Sequence, residues 1–471
     1  MSDASRRADR RSELTPEQAS QLSTELESTF GPHLAVVTAR TAHALEACGY
    51  SALLVHSGSL LTVFEDDRTY PFETHAPFKV WTPLEVPDCF VYFEPGQTPL
   101  LVFNQPVDFW YKSAEAPRGW WTRHFEIRPI PDLASSRKLL PADLTRVAYI
   151  GDNFPELQSW GVGDINPRRL IRHLDYGRAA KTPYELVCLR EANRLGVIGH
   201  LAAAEAFAEG ASEFEIELAF LKATGLREQE LPYNPIIALN DGGAVLHYQV
   251  LEKRAPAERH SLLIDAGAEF SGYASDITRT HALRAGDFAT LIERMDELQQ
   301  ALCAGLRAGV DWKDVHLRAH ALTGSLLREA DITTCSSEEA VSTGVTSVFL
   351  PHGIGHLLGL EVHDVGGFMA SPDGGDIPRP DGHPFLRLTR VLQKGFVVTV
   401  EPGIYFIDQL LDAARADARA GKINWSRVAS LRKFGGIRIE DNVAVTDTGG
   451  DNLTRNAFHE VRPKAVLKGA S

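Results

Sequence analysis

The sequence predicts an α/β (α+β) chain of two domains, an N-terminal α/β domain with a mixed sheet followed by a larger C-terminal domain. Three observations carry this. The 471 residues exceed the roughly 250 to 300 at which a single hydrophobic core stops growing. Short apolar runs in the first part of the chain interleave with helical stretches, the pattern of layered strands and helices. A Pro- and Arg-containing stretch over 166–180 then leads into Thr182-Pro183, an N-cap residue followed by a first-turn proline, which marks a new start.

The elements follow in order. Residues 1–30 are expected as a flexible N-terminal tail: Arg6, Arg7, Arg10 and Arg11 are interrupted by Asp3, Asp9 and Glu13, and no apolar segment of a secretory signal follows them. The N-terminal α/β domain is set at 31–178. It opens on a helical stretch beginning at Leu34, then the buried-strand runs Ala52 to Val55, Cys89 to Phe93, Leu100 to Phe103 and Val147 to Ile150. The second domain is set at 179–460, with a C-terminal tail over 461–471. Its helices are expected from Pro183 to about Glu209, Ser212 to Thr224, Phe288 to Ala308 and Trp312 to Glu329. Strands are expected at Phe396 to Val400 and Gly436 to Val445, and Ser371 to Pro384 reads as a loop.

Composition excludes some functions. A formal net charge of -14 gives no electrostatic footprint for nucleic acid or an anionic membrane. No apolar run approaches the roughly 20 residues of a membrane span. The five cysteines, scattered without paired spacing, point to free thiols in a reducing compartment, and the cytoplasm is the expected location.

The chemistry lies in five residues of the second domain. Asp265 ends the apolar run Leu262-Leu263-Ile264, and a Phe270-Ser271-Gly272-Tyr273 turn brings Asp276 back towards it. Alternation along Ile437-Arg438-Ile439-Glu440 places Arg438 and Glu440 on one face, and in Val398-Thr399-Val400-Glu401 it separates Glu401 from the valines. Pro351-His352-Gly353-Ile354-Gly355-His356 and Val362-His363-Asp364 gather three imidazoles among glycines. Singly, the acids also suit strand ends and Arg438 also suits a surface ion pair. Together, Asp265, Asp276, His356, Glu401 and Glu440 form an oxygen-rich set suited to two ions of manganese, magnesium, cobalt or zinc, which can activate water for hydrolysis.

In this order, with Tyr273-Ala274-Ser275-Asp276-Ile277-Thr278-Arg279-Thr280, Glu401-Pro402-Gly403 and Val362-His363-Asp364-Val365-Gly366-Gly367-Phe368 around them, these residues resemble the metal-ligand signature of the pita-bread metallopeptidases. With Pro106-Val107-Asp108-Phe109-Trp110 they resemble its bacterial Xaa-Pro dipeptidases (prolidases), including the organophosphorus acid anhydrolase members. The resemblance runs from about residue 30 to 460. It implies a C-terminal pita-bread domain and hydrolysis of Xaa-Pro dipeptides with two divalent ions, manganese (Mn2+) first, Co2+ or Zn2+ otherwise. By the same resemblance Glu401 is ligand and proton shuttle, and His352 and His247 support the reaction. His363 and Arg438 are expected near the substrate carboxylate, Tyr233, Leu246, Val362 and Trp110 form apolar walls, and the protein is a homodimer. Organophosphate hydrolysis is expected as a side reaction. Aminopeptidase P has the same five ligands but takes longer peptides; the stretch of Trp110 and a loop after Ile407 favour the dipeptide site. A metal-free binding homologue would have lost ligands, and none is missing.

Overall fold

The computed structural model describes residues 14–461, and the chain divides into two compact units. The ends of both expected tails, 1–13 and 462–471, lie outside the described residues. Among the described residues the first unit comprises 14–188 with 270–272 and 371–375, and the second takes the remainder.

In the first unit a six-stranded mixed sheet runs in the order Glu126–Ile130, Leu100–Asn104, Phe90–Phe93, Ala52–His56, Val147–Ile150, Asp164–Ile165. Ala52–His56 pairs antiparallel with Phe90–Phe93 and parallel with Val147–Ile150. All five of its residues are buried, which explains its unbroken apolar run: a strand covered on both faces has no polar side to alternate with. Leu54, Phe90, Val102, Tyr149 and Trp160 belong to the core built on this sheet.

The first helix departs from expectation. It spans Pro16–Cys48, not a tail to residue 30 with a helix from Leu34. Thr15 and Gln18 cap it reciprocally, and Gly49 closes it in the left-handed conformation at φ 84°. Leu26, Phe30 and Leu34, four residues apart, are all buried. One narrow apolar stripe suffices for a helix that exposes the rest of its polar surface, so its composition resembles that of a solvated tail.

The helix Pro183–Glu209 begins on the expected cap: Thr182 N–H donates to Glu185 Oε2 at 2.8 Å and Glu185 N–H to Thr182 Oγ1 at 3.4 Å. The division between units falls after Cys188, inside this helix, whereas the sequence-based boundary is residue 178. The helix Trp312–Glu329 matches its expected bounds. Ile407 is followed by the helix Asp408–Arg415, not by a loop. Gly374–Asp376 is a short extended segment within the expected loop, and it pairs with Met369–Ser371, which ends at the loop's first residue.

In the second unit Ser261–Asp265 is the central strand between Thr278–Ala282 and Ile236–Leu239, antiparallel to both. Val397–Val400 pairs with Asp441–Val445, and Gly403–Tyr405 with Gly436–Arg438. The two halves of the Gly436 to Val445 run are therefore separate strands, parted at Ile439-Glu440, and Glu440 bridges to Thr278. Among the described residues no helix is long and apolar enough to cross a membrane.

Candidate metal centre

Strand register brings the five expected ligands to one cleft of about 510 Å³ in the second unit. Asp265 stands opposite Thr278, so Asp276, two residues earlier, lies diagonally across from it, within reach of a shared ion. Glu440 arrives through its bridge to Thr278. Glu401 follows the buried strand Val397–Val400, and its N–H donates to Ile354 O at 2.9 Å. His356 is tied to the same strand, its N–H donating to Thr399 Oγ1 at 3.1 Å and its carbonyl accepting from Thr399 N at 3.0 Å. The approach depends on Gly355, at φ 154°: a Cβ there would stand 2.1 Å from Thr399 O. That is why glycine occurs between His352 and His356.

Ligand atoms of Asp276, His356 and Glu440 lie within 4.8 Å of one another. His356 Nε2 is 3.4 Å from Asp276 Oδ2 and 3.8 Å from Glu401 Oε1. Its Nδ1–H donates to Leu357 O at 2.9 Å, which leaves the Nε2 lone pair facing the acids.

The electrostatics of the set fit cations. Burial pushes Glu401 up to about 7, against the relief given by His356 and Arg438. Burial, then Asp276 and Glu401, raise Glu440 well above the usual carboxylate range. Burial also raises Asp265, partly offset by Arg438. Asp276 alone is lowered, its burial outweighed by His356. Four acids in one desolvated space repel one another, and a single imidazole and guanidinium do not neutralise them. Oxygen donors from four carboxylates with one nitrogen suit two divalent ions.

A second layer fixes the ligands. Thr278 Oγ1 donates to Glu440 Oε2 at 2.7 Å and accepts from Arg438 Nε at 3.1 Å. Arg438 also donates to Asp265 Oδ2 at 2.7 Å and to Tyr405 Oη at 2.9 Å. Tyr233 Oη donates to the other Asp265 oxygen at 2.8 Å. Asn442 clasps the Asp276 backbone, accepting from its N–H at 3.0 Å and donating to its carbonyl at 2.6 Å. Behind Glu440, the buried Asp441 is held by Arg279 at 2.6 Å and Arg455 at 2.7 Å.

The other expected residues divide. Leu246, His247, His352, His363 and Arg438 line the cleft. The His363 ring meets that of His356 edge-on, centroids 4.4 Å apart. His352 Nδ1 donates to Gly353 O at 2.8 Å, so Nε2 accepts from Tyr405 Oη at 2.8 Å, and burial lowers its pKa to about 4. Tyr233 touches the ligand set through its hydroxyl and, like the half-buried Val362, is not among the lining residues. Trp110 belongs to the first unit and is 77% exposed. Thr278, Tyr405, Asn442 and Arg387 carry no signal of their own in the sequence. Thr278 could have been found by alternation from Asp276 along one strand edge, whereas Arg387 reaches the cleft on an irregular segment.

Comparison with known proteins gives the family and the fold. Residues 187–447 match the model of metallopeptidase family M24, and residues 28–176 that of the Xaa-Pro dipeptidase N-terminal domain. The chain belongs to metallopeptidase family M24. An Xaa-Pro dipeptidase of Stenotrophomonas maltophilia is 47% identical over 431 residues, 91% of this chain and 97% of that protein. One of Xanthomonas campestris is 48% identical over the same shares. Among solved structures, aminopeptidase P from Escherichia coli with the inhibitor Pro-Leu matches with a TM-score of 0.69 at 22% identity, covering 90% of this chain and 95% of that one. An aminopeptidase of Pseudomonas aeruginosa matches with a TM-score of 0.68 at 20% identity, over 90% and 95%. At these identities the structures speak to fold, and the fold of the M24 domain is the pita-bread fold.

Proposed function

We propose that this chain is a cytoplasmic, homodimeric Xaa-Pro dipeptidase that uses two divalent ions, manganese by preference, to cleave the tertiary amide and release free proline. The observation that carries it is the coincidence of an intact five-ligand centre with near full-length similarity to Xaa-Pro dipeptidases. The ions, when bound, supply Lewis acidity that activates water and polarises the scissile carbonyl.

The chain's own residues supply the rest. Glu401, with a pKa raised to about 7 by burial, is suited to accept a proton from the attacking water and pass it to the proline nitrogen. That nitrogen carries no hydrogen in the substrate, so the C–N bond cannot break productively until it gains one. His352 stays neutral and hydrogen-bonded on both nitrogens, which suits it to shape the wall while another group titrates. His247 and His363 line the cleft, where their ring nitrogens can hydrogen-bond to the substrate, and burial keeps His363 low, at about 4.

The substrate carboxylate is assigned to Arg387. Arg438, buried and engaged by Asp265, Thr278 and Tyr405, acts as a positioning residue for Asp265. Arg387 lines the same cleft, is exposed, and makes no hydrogen bond or ion pair among the described residues. A guanidinium fork matches a planar carboxylate. Reading a carboxylate directly after proline confines the enzyme to dipeptides. Leu246 remains assigned to the proline-sized wall, whereas Tyr233 acts on the ligand set through its hydrogen bond to Asp265. The exposed run Val107, Phe109, Trp110 and Tyr111 supports burial against a second copy, with Trp110 offered to the substrate. Phosphotriesters are the expected side substrates of the same activated water.

The test is hydrolysis by manganese-reconstituted protein of Ala-Pro, Leu-Pro and a phosphotriester. Proline release from both dipeptides, with slower triester cleavage, is expected; no proline release by fully reconstituted protein would refute the proposal.

A further inference from the structure

Outside the carboxylate-rich centre, the second unit holds a second group of potential ligands, made only of histidines. His316 and His320 lie four residues apart on the helix Trp312–Glu329, a spacing that puts both on one helical face. His383 joins them from the segment that leads to Pro384, Phe385 and Arg387 of the cleft wall. One nitrogen from each ring falls within 4.8 Å of the other two. The ring centroids are 4.8 Å apart for His316 and His320, 4.5 Å for His316 and His383, and 4.6 Å for His320 and His383. Three rings packed edge to face round one point make a cage open to a single small ion.

The hydrogen bonding of the three rings is incomplete. His316 Nε2 and His383 Nδ1 share one contact of 2.9 Å. His320 Nδ1 meets Thr346 Oγ1 at 3.0 Å, while its Nε2 has no partner; nor has His316 Nδ1. Both of these helix histidines are only 1% exposed. Natural cores pair nearly all buried polar atoms, so the orphaned Nε2 of His320, beside the contact that His316 Nε2 and His383 Nδ1 share, calls for a missing partner. The Thr346 contact has the form of the outer hydrogen bond that orients a ligating histidine and turns its other nitrogen inwards.

We propose that His316, His320 and His383 bind a third metal ion, separate from the two-metal centre, of the zinc class: a borderline cation held by three neutral imidazoles, with water completing four-coordination. Three nitrogens and no carboxylate select zinc, or cobalt as its substitute, over manganese and magnesium, which prefer oxygen. The fit draws three ring nitrogens that already lie within 4.8 Å of one another to a common spacing. Zn–N bonds of about 2.0 to 2.1 Å in a tetrahedron place ligand nitrogens about 3.3 Å apart, so the 2.9 Å contact between His316 and His383 opens by a few tenths of an ångström. The proton in that contact moves to the unoccupied Nδ1 of His316, and binding leaves all three rings neutral. Burial and mutual repulsion already keep them so, holding His316 at about 2 and His320 at about 3. The ion would staple the segment bearing Arg387 to a rigid helix, which makes the site structural and sets it beside the substrate cleft.

The experiment is metal counting on untagged, full-length protein stripped with a chelator and then saturated with zinc, or with cobalt for spectroscopy, followed by desalting. Three equivalents per chain are expected in the wild type and two in His383→Ala and in His320→Phe. The variant at half-buried His383 is chosen because its loss leaves the helix core unchanged. X-ray absorption on wild-type protein carrying manganese in the carboxylate centre and one added zinc needs no variant: it should show an imidazole-dominated zinc shell at about 2.0 Å. Two equivalents in the wild type, a third equivalent retained by both variants, or an oxygen-dominated shell would each overturn the proposal. None of these readings depends on dipeptidase activity.

Discussion

Replacing Thr278 by valine isolates the contribution of the layer behind the ligands. Valine keeps the β-branched shape of a fully buried strand residue, so the strand and its packing persist, and only the hydroxyl is lost. That hydroxyl donates to Glu440 Oε2 at 2.7 Å and accepts from Arg438 Nε at 3.1 Å. Each is a hydrogen bond to a charged group in a desolvated site, of a kind worth about 1.5 to 3 kcal/mol. At about 1.4 kcal/mol per decade, loss of one such bond is roughly a tenfold to hundredfold effect. Glu440 loses its fixed rotamer, so manganese affinity should fall by that factor, in line with the roughly 10- to 100-fold losses seen when outer partners of metal ligands are removed. The assay is calorimetric manganese titration of the apoprotein, with kcat/KM for Leu-Pro at limiting metal and a circular dichroism check of fold. Thr278→Ser should retain most of the affinity. A valine variant within twofold of wild type, or a serine variant as weak as the valine one, would refute the reasoning.

Other perturbations have equally definite outcomes. Glu401→Gln should lose at least a thousandfold in kcat, since it removes both a ligand and a proton acceptor (roughly 10²- to 10⁴-fold for the latter alone), and a variant with more than a tenth of wild-type kcat would contradict the assignment. Arg387→Ala should raise KM for dipeptides by one to two decades, about 1.4 to 2.7 kcal/mol, with kcat nearly retained; Arg438→Ala should instead weaken metal binding, because Asp265 loses its partner at 2.7 Å. Metal-induced stabilisation, measured as the Tm of loaded minus apoprotein, should grow as pH rises. Glu401, raised to about 7 by burial, stays protonated when folded between the unfolded value near 4.5 and about 7. The unfolded chain releases that proton while the fold keeps it, so the apoprotein loses stability as pH rises through that window, and the metal, which holds the carboxylate charged, removes the penalty; a difference independent of pH would count against it. The buried His200, lowered to about 3 by desolvation, and His281, lowered to about 4 by the same cause, act in the opposite sense. The unfolded chain binds protons at them below about 6.5 and the fold does not, so their contribution is complete above that pH and declines as pH falls towards 3 to 4. Replacing His200 by glutamine should flatten the acid limb of the stability curve in urea titrations, and an unchanged limb would exclude it.

What could be seen in the sequence follows from how locally each feature is encoded. The buried strands of the first unit were legible because a strand covered on both faces is apolar throughout, as in Ala52–His56. The cap of the helix Pro183–Glu209 was legible because Thr182 and Glu185 interact within one turn. The helix Pro16–Cys48 was not: its buried Leu26, Phe30 and Leu34 form one narrow stripe among charged and polar residues, and only the surface that covers them makes them core. Nor was the helix after Ile407, whose residues suit a helix and a polar loop equally.

In the candidate site, alternation within a strand placed Arg438 and Glu440 on one side, and the shared Thr278 hydroxyl shows both reaching it. The partners of Arg438 depended on strand pairing far along the chain, to Asp265 and Tyr405, which no local pattern specifies. That is why the hydrogen bond of Arg438 to Asp265 could not be read from the sequence, although Arg438 lines the cleft as expected, and Arg387, on a segment without periodicity, carried no signal. The three-histidine cluster has half of its signature in the i, i+4 spacing of His316 and His320; the third member, His383, comes from a distant loop.

The claim that a carboxylate directly after proline is read in a closed cleft is tested most directly by one ratio. Manganese-loaded enzyme should be offered Leu-Pro and Leu-Pro-Ala side by side, and kcat/KM determined for each from release of the N-terminal leucine. The account predicts a preference for the dipeptide of at least a hundredfold, about 2.7 kcal/mol; comparable values for the two peptides would contradict it and assign the chain to cleavage of longer Xaa-Pro peptides.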